Sequence, residues 1–480
     1  MTKEILINIE SQEKRAAVIN DGRLEEFYIE RPQDKTIVGN IYKGKIEAVL
    51  SSVGAAFVDI GLFKKGFLYL SEIESSFESC ETQGPALKEV KKGQEVLVQV
   101  VKESFGTKGP RLSCHIGIPG RYLVLMPQGR QIGVSRRIEN DEERRRLKQV
   151  FSELKLPEGL GFIVRTAASG KTKQELLRDA NFLIKLWRRM EKIVQSKKAP
   201  ALIYEDYDLT LRVIRDSFSE DVSKLIVDSK AEFFRIQRFM RAFLNYLVKK
   251  VELYKGSDLF TEKDAERQIN KIFENKVYLK SKAYLVIEPT EGLVVIDVNS
   301  GGFKKKLRQE EAAFKVNCEA AQEVAHQLIL RDLGGIVVID FIDMEKEGHR
   351  RQVLNTLKQA LACDKAKYDI LGISKFGLVE MTRERVHNTV QSLSYQDCPY
   401  CHGRGKIKSP LTMSIYALKE LRRYLREHAS LKQINITLNT AVIDEFMKNK
   451  SNLEFLERKF RIRINIISDP SLKIEEIRLS

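Results

Sequence analysis

Cysteine is scarce, with six residues in 480, too few for the disulfide framework on which small secreted folds depend. Four of them (Cys80, Cys114, Cys318, Cys363) stand alone in sequence, and only Cys398 and Cys401 share a motif. Long apolar runs are missing as well. None approaches the roughly 20 residues that span a bilayer, and the opening MTKEILINIE carries charge where a secretory signal needs an apolar core. A cytoplasmic chain without a membrane span is therefore expected. The 11 prolines are scattered, no repeat of solenoid length occurs, and no low-complexity tail is present. Acidic residues are in deficit, 66 Asp+Glu against 82 Lys+Arg for a net charge of +16, which favours a polyanionic partner, nucleic acid first.

What is there divides into about three or four domains by length. From Thr36 to about Cys114, short alternating segments (Asn40 to Val49, Ala55 to Ile60, Gly66 to Ile73, Gln94 to Lys102, Arg111 to Cys114) are separated by glycine-rich turns. That rhythm predicts a small closed barrel of the OB type. Ile116 to Pro200 holds 19 Lys+Arg against 9 Asp+Glu, a net +10, with helix predicted over Asp141 to Leu154 and Thr172 to Ser196 and a strand over Gly161 to Thr166. Beyond it, strand is expected at Leu209 to Val213 and Lys224 to Val227, and helix at Ala231 to Val251 and Glu262 to Phe273, enough to complete a sheet begun by Glu4 to Glu30. Two matching segments follow, Leu293-Val-Val-Ile-Asp297 and Ile336-Val-Val-Ile-Asp340, which read as parallel strands buried on both faces and joined through a helix over Glu310 to Leu330. Met413 to Ser480 reads as a small α/β domain with helices at Met413 to His428 and Thr440 to Asn449.

Both aspartates then sit at carboxyl ends of parallel strands, the edge at which open α/β sheets bind ligands. A hard divalent cation such as magnesium takes a few carboxylate oxygens plus water and phosphate, and Asp297 with Asp340 supplies two. Asn299, two residues beyond Asp297, projects from the same face and can hydrogen-bond that carboxylate; Asp343 is a weaker third candidate. A lone strand-end Asp often only opens a turn or caps a helix, but two identical settings favour function. In the barrel, alternation sets Phe57 with Asp59 opposite Ala56, Val58 and Ile60, and Phe67 with Tyr69 opposite Leu68 and Leu70. Aromatic rings on that polar side, near Lys64, Lys65 and Lys108, suit stacking on unpaired bases. Cys398-Pro-Tyr-Cys401-His-Gly-Arg-Gly405 has the spacing of a zinc knuckle, and with no second CxxC either His402 and a distant ligand join or two chains each give half.

Taken together, GAAFVDIG ending at Gly61, KGPRLS ending at Ser113, GRYLVLMP ending at Pro127, SRRI ending at Ile138, VRTA ending at Ala167, IDVNSG ending at Gly301, RDLGGIVVIDFIDM ending at Met344 and the CPxC segment closely resemble the ribonuclease E/G family of endoribonucleases. The match runs from Ile37 to about Lys408. The resemblance implies a multidomain α/β chain: an RNase H-like subdomain (residues 1–35 and 211–274) split around an OB-fold RNA-binding domain (36–116) and a 5′-end sensor region (117–210), a DNase I-like catalytic subdomain (275–394), a zinc link (395–409) and a small dimerisation domain (410–480). Under it, Asp297 and Asp340 ligate catalytic magnesium and Asn299 orients Asp297. Arg165 and Thr166 grip a 5′-monophosphate, while Phe57, Phe67, Lys108 and Arg111 hold single-stranded RNA. Cys398 and Cys401 share a structural zinc between two chains of a homodimer, which can pair into a tetramer. The implied substrates are ribosomal RNA precursors and mRNA. Tyr69 stands where the family commonly has His, Lys375 where Arg is usual, and the family's long disordered carboxyl tail is missing, which argues against a scaffold for a larger degradation complex. The rival readings are a non-catalytic RNA-binding protein on the same scaffold and a DNA nuclease; the two aspartates with Asn299 argue against the first.

Overall fold

The computed structural model describes residues 2–73, 90–104, 108–129, 132–138, 140–154, 156–157, 159–290, 292–301, 309–374, 376–384, 394–396, 398–428, 431–448 and 450–480. Two compact units result, Met1–Gln391 and Ser392–Ser480. Among the described residues no helix is long and apolar enough to cross a membrane.

The first sheet of the larger unit joins distant segments. Strands Lys3–Ile9, Lys14–Asn20 and Arg23–Glu30 form an antiparallel meander, and Val222–Val227 and then Val251–Leu253 add to it in parallel on the Lys3–Ile9 side. Its two faces feed two cores. Ile5, Ile7, Ala16 and Val18 pack with helices Leu209–Ser217 and Lys230–Phe243, whereas Leu6, Ala17 and Ile19 pack with Leu259, Phe260, Ile269 and Ile272. The expected strand at Leu209 to Val213 is thus a helix: Asp208 caps it by accepting from the Leu211 N–H at 3.4 Å, and packing across a sheet overrides the β-leaning run Leu-Thr-Leu-Arg-Val. The helix expected over Ala231 to Val251 ends at Phe243, and a 3-10 turn Asn245–Lys250 delivers the chain into the edge strand. The one expected over Glu262 to Phe273 is broken at Asp264, whose φ of 56° interrupts the helix and separates Leu259–Glu262 from Ala265–Ile272.

The barrel is present. Strands Ile41–Leu50, Ala55–Asp59, Gly66–Tyr69, Arg111–Ser113 and Glu95–Lys102 pair in that order, and pairing of Ile41–Leu50 with Glu95–Lys102 closes the five. Its interior holds Ile46, Val98, Val100 and Leu112 together with Ala56, Val58, Ile60 and Leu68, the last four as the alternation predicts. Gly109 lies where backbones meet: a Cβ there would stand 1.8 Å from the Lys65 carbonyl oxygen. The next module stacks helices Asp141–Ser152 and Lys173–Ser196 on a small sheet containing Gly161–Val164; the longer helix starts with a capping box between Thr172 and Glu175.

The third sheet runs Lys276–Tyr278, Tyr284–Pro289, Leu293–Asn299, Gly335–Asp340, Leu378–Arg383, Tyr368–Ile373. Leu293–Asn299 and Gly335–Asp340 are parallel, as expected, with Asp297 opposite Asp340. Burial on both faces is not what they show. Val294, Ile296, Val298, Val337 and Ile339 pack beneath helices Gln309–Leu330 and Glu347–Leu361, while Asp297, Ile336 and Asp340 on the other face are exposed. The apolar run misled because Val295 and Val338 are only half-buried, and β-branched residues suit either face of a sheet. In the smaller unit, helix Pro410–Glu427 and two shorter helices pack with the sheet of Gln433–Leu438, Arg463–Ser468 and Arg478–Leu479. Gly109→Ala is expected to lower stability by about 1–3 kcal/mol through strain at the barrel seam, read as an earlier urea midpoint; an unchanged midpoint would show that the seam yields freely.

Candidate functional site

Asp297 and Asp340 come together on the open face of the third sheet because a parallel register sets them side by side at two strand ends. The Asn299 Nδ2 donates to Asp297 Oδ2 at 2.8 Å, the contact that spacing alone anticipates. Asp340 is harder to ionise than an ordinary aspartate, first because it is partly desolvated and then because Asp297 and Asp343 repel its charge. Such a site suits a hard cation, which would relieve the repulsion. Among the described residues no group of three or more His, Cys, Asp or Glu gathers as a ready-made metal cage. Lys375 lies outside the described residues.

Two residues that the sequence reading passed over hold the loop carrying Asp343. Asn317, fully buried, donates through Nδ2 to the Ile342 carbonyl at 2.7 Å and accepts the Ile342 N–H at 3.0 Å. Both backbone groups of Ile342, the residue before Asp343, are therefore fixed by one side chain. Glu310 accepts the N–H groups of Glu345 at 2.9 Å and Lys346 at 3.1 Å, which pull its pKa down, and its Oε1 lies 2.8 Å from His349 Nδ1. The signal for Asn317 was legible: an amide on the stripe of Ala313, Val316, Ala320, Ala321 and Val324 needs a buried partner.

On the barrel, Phe57 and Phe67 face each other in register with ring centroids 6.2 Å apart, and Phe67 meets Tyr69 at 5.1 Å. Arg111 lies over Tyr69, 4.9 Å from the ring centre, and Lys108 is exposed nearby in sequence. Phe57 and Tyr69 are each 37% exposed, a ladder of rings open to stacking. The basic module is more committed. Arg165 donates from Nη1 to the Gly120 carbonyl at 2.6 Å and from Nη2 to Asp216 at 2.8 Å, so its fork serves a structural ion pair; Thr166 is exposed beside it. Burial alone would raise the Asp216 carboxyl, but Arg215 and Arg165 bring it down to about 2.

In the smaller unit Cys398 and Cys401 sit on one tight turn. The Gly405 N–H donates to Cys401 Sγ at 3.3 Å, and the N–H groups of Cys401 and Tyr400 lower the Cys398 thiol pKa. Backbone donors aimed at sulfur favour thiolates and hence a soft or borderline metal such as zinc. Positive φ at His402, Gly403 and Gly405 is what turns the backbone inward.

Three family models match successive parts of the chain. Residues 35–115 match the S1 RNA binding domain, residues 117–386 match the Ribonuclease E/G family, and residues 397–480 match the RNase E/G thioredoxin-like domain. The chain belongs to the ribonuclease E/G family. Its relatives include Ribonuclease G of Salmonella typhimurium (strain SL1344), 42% identical over 436 residues that cover 88% of each chain. Ribonuclease G of Haemophilus influenzae is 39% identical, with 94% of this chain and 93% of the relative covered. Ribonuclease E of Escherichia coli (strain K12) is 40% identical over 90% of this chain but 41% of its own length. The barrel of this family member is thus its S1 domain, and the family model spans both the basic module and the sheet with the paired aspartates.

The Asp216 pair generates a pH prediction. Its folded pKa of about 2 lies below the ordinary 3.8, so the stabilisation is fully present above the ordinary value and is lost as the pH falls toward 2. Asp216→Asn is expected to be less stable than the unmodified protein at neutral pH and to lose less stability on acidification, measured as urea midpoints at about pH 6 and pH 3. Parallel loss in both proteins would remove the assignment.

Proposed function

We propose that this family member, an endoribonuclease of RNA processing, cuts single-stranded RNA in a magnesium-dependent reaction stimulated by a 5′-monophosphate and acts in ribosomal RNA maturation and mRNA decay in the cytoplasm. The observation that carries the reading is the pair Asp297 and Asp340, in register on parallel strands and exposed on one face. These two would hold the metal, with Asn299 orienting Asp297. Bound there, magnesium would supply Lewis acidity at the scissile phosphate and a more acidic water. The products are a 3′-hydroxyl and a new 5′-phosphate. Asn317 and Glu310 keep the loop after Asp340 from relaxing away from the charge it repels.

The remaining assignments follow the family resemblance. Residues 1–35 with 211–274 form an RNase H-like subdomain, 117–210 the 5′-end sensor and 275–394 a DNase I-like catalytic subdomain. Residues 395–409 form the zinc link and 410–480 the dimerisation domain. Phe57, Phe67, Lys108 and Arg111 hold the RNA strand, and Arg165 with Thr166 receives the terminal phosphate. The Arg165 bond to Asp216 makes that residue both a strut of the module and a phosphate ligand, and a phosphate would compete with a carboxylate for one guanidinium. Cys398 and Cys401 of two chains share one zinc, since a single chain gives only half of a tetrahedral thiolate set.

One experiment tests the catalytic reading. The same single-stranded RNA is offered with a 5′-monophosphate or a 5′-hydroxyl, with and without magnesium, to the unmodified protein and to Asp340→Asn. Cleavage is expected only with magnesium, faster on the monophosphate, and reduced by orders of magnitude in the variant while RNA affinity holds. Full activity of Asp340→Asn would overturn the metal site, and equal rates on the two ends would overturn end sensing. For assembly, metal analysis should return one zinc per two chains, with Cys401→Ser shifted toward monomer at low concentration. One zinc per chain contradicts the shared site.

A further inference from the structure

Beside the paired aspartates, on the same open face of the third sheet, lies a group of side chains that neither the barrel nor the metal site employs. The register across the edge is continuous: Lys276 stands opposite Val286, Val286 opposite Asp297, and Asp297 opposite Asp340. In the adjoining row Tyr278 stands opposite Tyr284, and Tyr284 opposite Asn299. Residues directly opposite each other share a face, and the alternate positions Val277 and Leu285 pack into the core beneath. Lys276, Tyr278 and Tyr284 therefore rise from the surface that carries Asp297 and Asn299. With strands about 4.8 Å apart, Lys276 is about 10 Å from Asp297 along the row.

The three side chains form one unit. The two tyrosine rings are 6.0 Å apart at 55°, and Tyr278 is 68% exposed. The Lys276 Nζ sits 3.7 Å from the centre of the Tyr284 ring and 5.5 Å from that of Tyr278. On the barrel the Lys65 ammonium is held by Glu47 and Asp59; Lys276 has no carboxylate partner among the described residues. An ammonium held by ring faces keeps its charge for an anion, and an exposed ring beside it offers a face for a base.

We propose that Lys276, Tyr278 and Tyr284 form a nucleotide subsite for single-stranded RNA next to the paired aspartates, with a base stacked on Tyr278 and a backbone phosphate on Lys276. This rests on the nuclease reading of Asp297 and Asp340 and deepens it: the subsite holds a nucleotide flanking the scissile bond and so sets which phosphate reaches the carboxylates. Phosphate contacts fix register while a ring accepts any base, so the subsite positions the strand with little sequence preference.

The test uses the full chain and single-stranded RNAs carrying 2-aminopurine at successive positions on either side of the cleavage site. Fluorescence is read without magnesium and cleavage with it. The unmodified protein should quench the probe at one position, or two adjacent ones, flanking the cut. Tyr278→Ala should abolish that quench and raise KM about tenfold, with kcat affected less, and Tyr278→Trp should restore both. Lys276→Gln should lower the salt dependence of binding by about one phosphate contact. An unchanged quench and KM in Tyr278→Ala would overturn the subsite, as would a loss confined to kcat. Quenching without any magnesium-dependent cleavage by the unmodified protein would instead sink the nuclease reading and leave the subsite standing.

Discussion

Two carboxylates held side by side repel, and the functional reading of this protein depends on a frame stiff enough to keep them there. Asp297 and Asp340 are adjacent because two parallel strands share a register, and the strands share it because their inner residues lock into one core with helix Gln309–Leu330. A one-residue slip would turn Asp340 into that core. Asn317 secures the turn beyond it from the buried side of the same helix. The raised pKa of Asp340 is the electrostatic trace of this arrangement, a charge kept where only a cation makes it comfortable.

The covered and open faces of this sheet have different work. Helices occupy one side, which leaves Asp297, Asn299, Asp340 and the Lys276 group on the other as a continuous polar and aromatic strip. The first sheet, covered on both sides by two cores, has no such free surface and acts as scaffold.

The basic surplus divides in a similar way. Arg165 is paired with Asp216. Arg383, almost fully buried, is held by Asp364 at 2.6 Å and Asp332 at 2.9 Å. Arg137 donates to the carbonyls of Asp364, Lys365 and Ala366, so the basic module grips the loop that also holds Arg383. These guanidiniums brace the larger unit, and breaking a buried pair by removing one partner is costly. Within residues 116–200, Arg165 and Lys171 are paired with Asp216 and Glu220 from outside that stretch, so its net charge overstates the positive charge free to meet RNA.

Alternation and spacing were enough to place the barrel strands, to set Phe57, Phe67 and Tyr69 on its outer face, and to bring Asn299 to Asp297, because these depend on the period of two within a strand. The joined motifs were enough for the family. Other features lay beyond local pattern. Leu209 to Val213 is helical because it packs across a sheet whose antiparallel strands lie near the amino terminus, and Val295 and Val338 are half-buried because helices cover one face and not the other. The group of Lys276, Tyr278 and Tyr284 appears only when three strands are set in register, since nothing in Lys-Val-Tyr or in a tyrosine six residues later marks them as neighbours of Asn299. Sequence alone determined which residue types were available and which faces of each strand they occupied. The tertiary structure decided which faces stayed open and which charges were paired, because both depend on contacts between elements that are not neighbours in sequence, such as Arg165 with Asp216 and Arg137 with the Asp364 carbonyl.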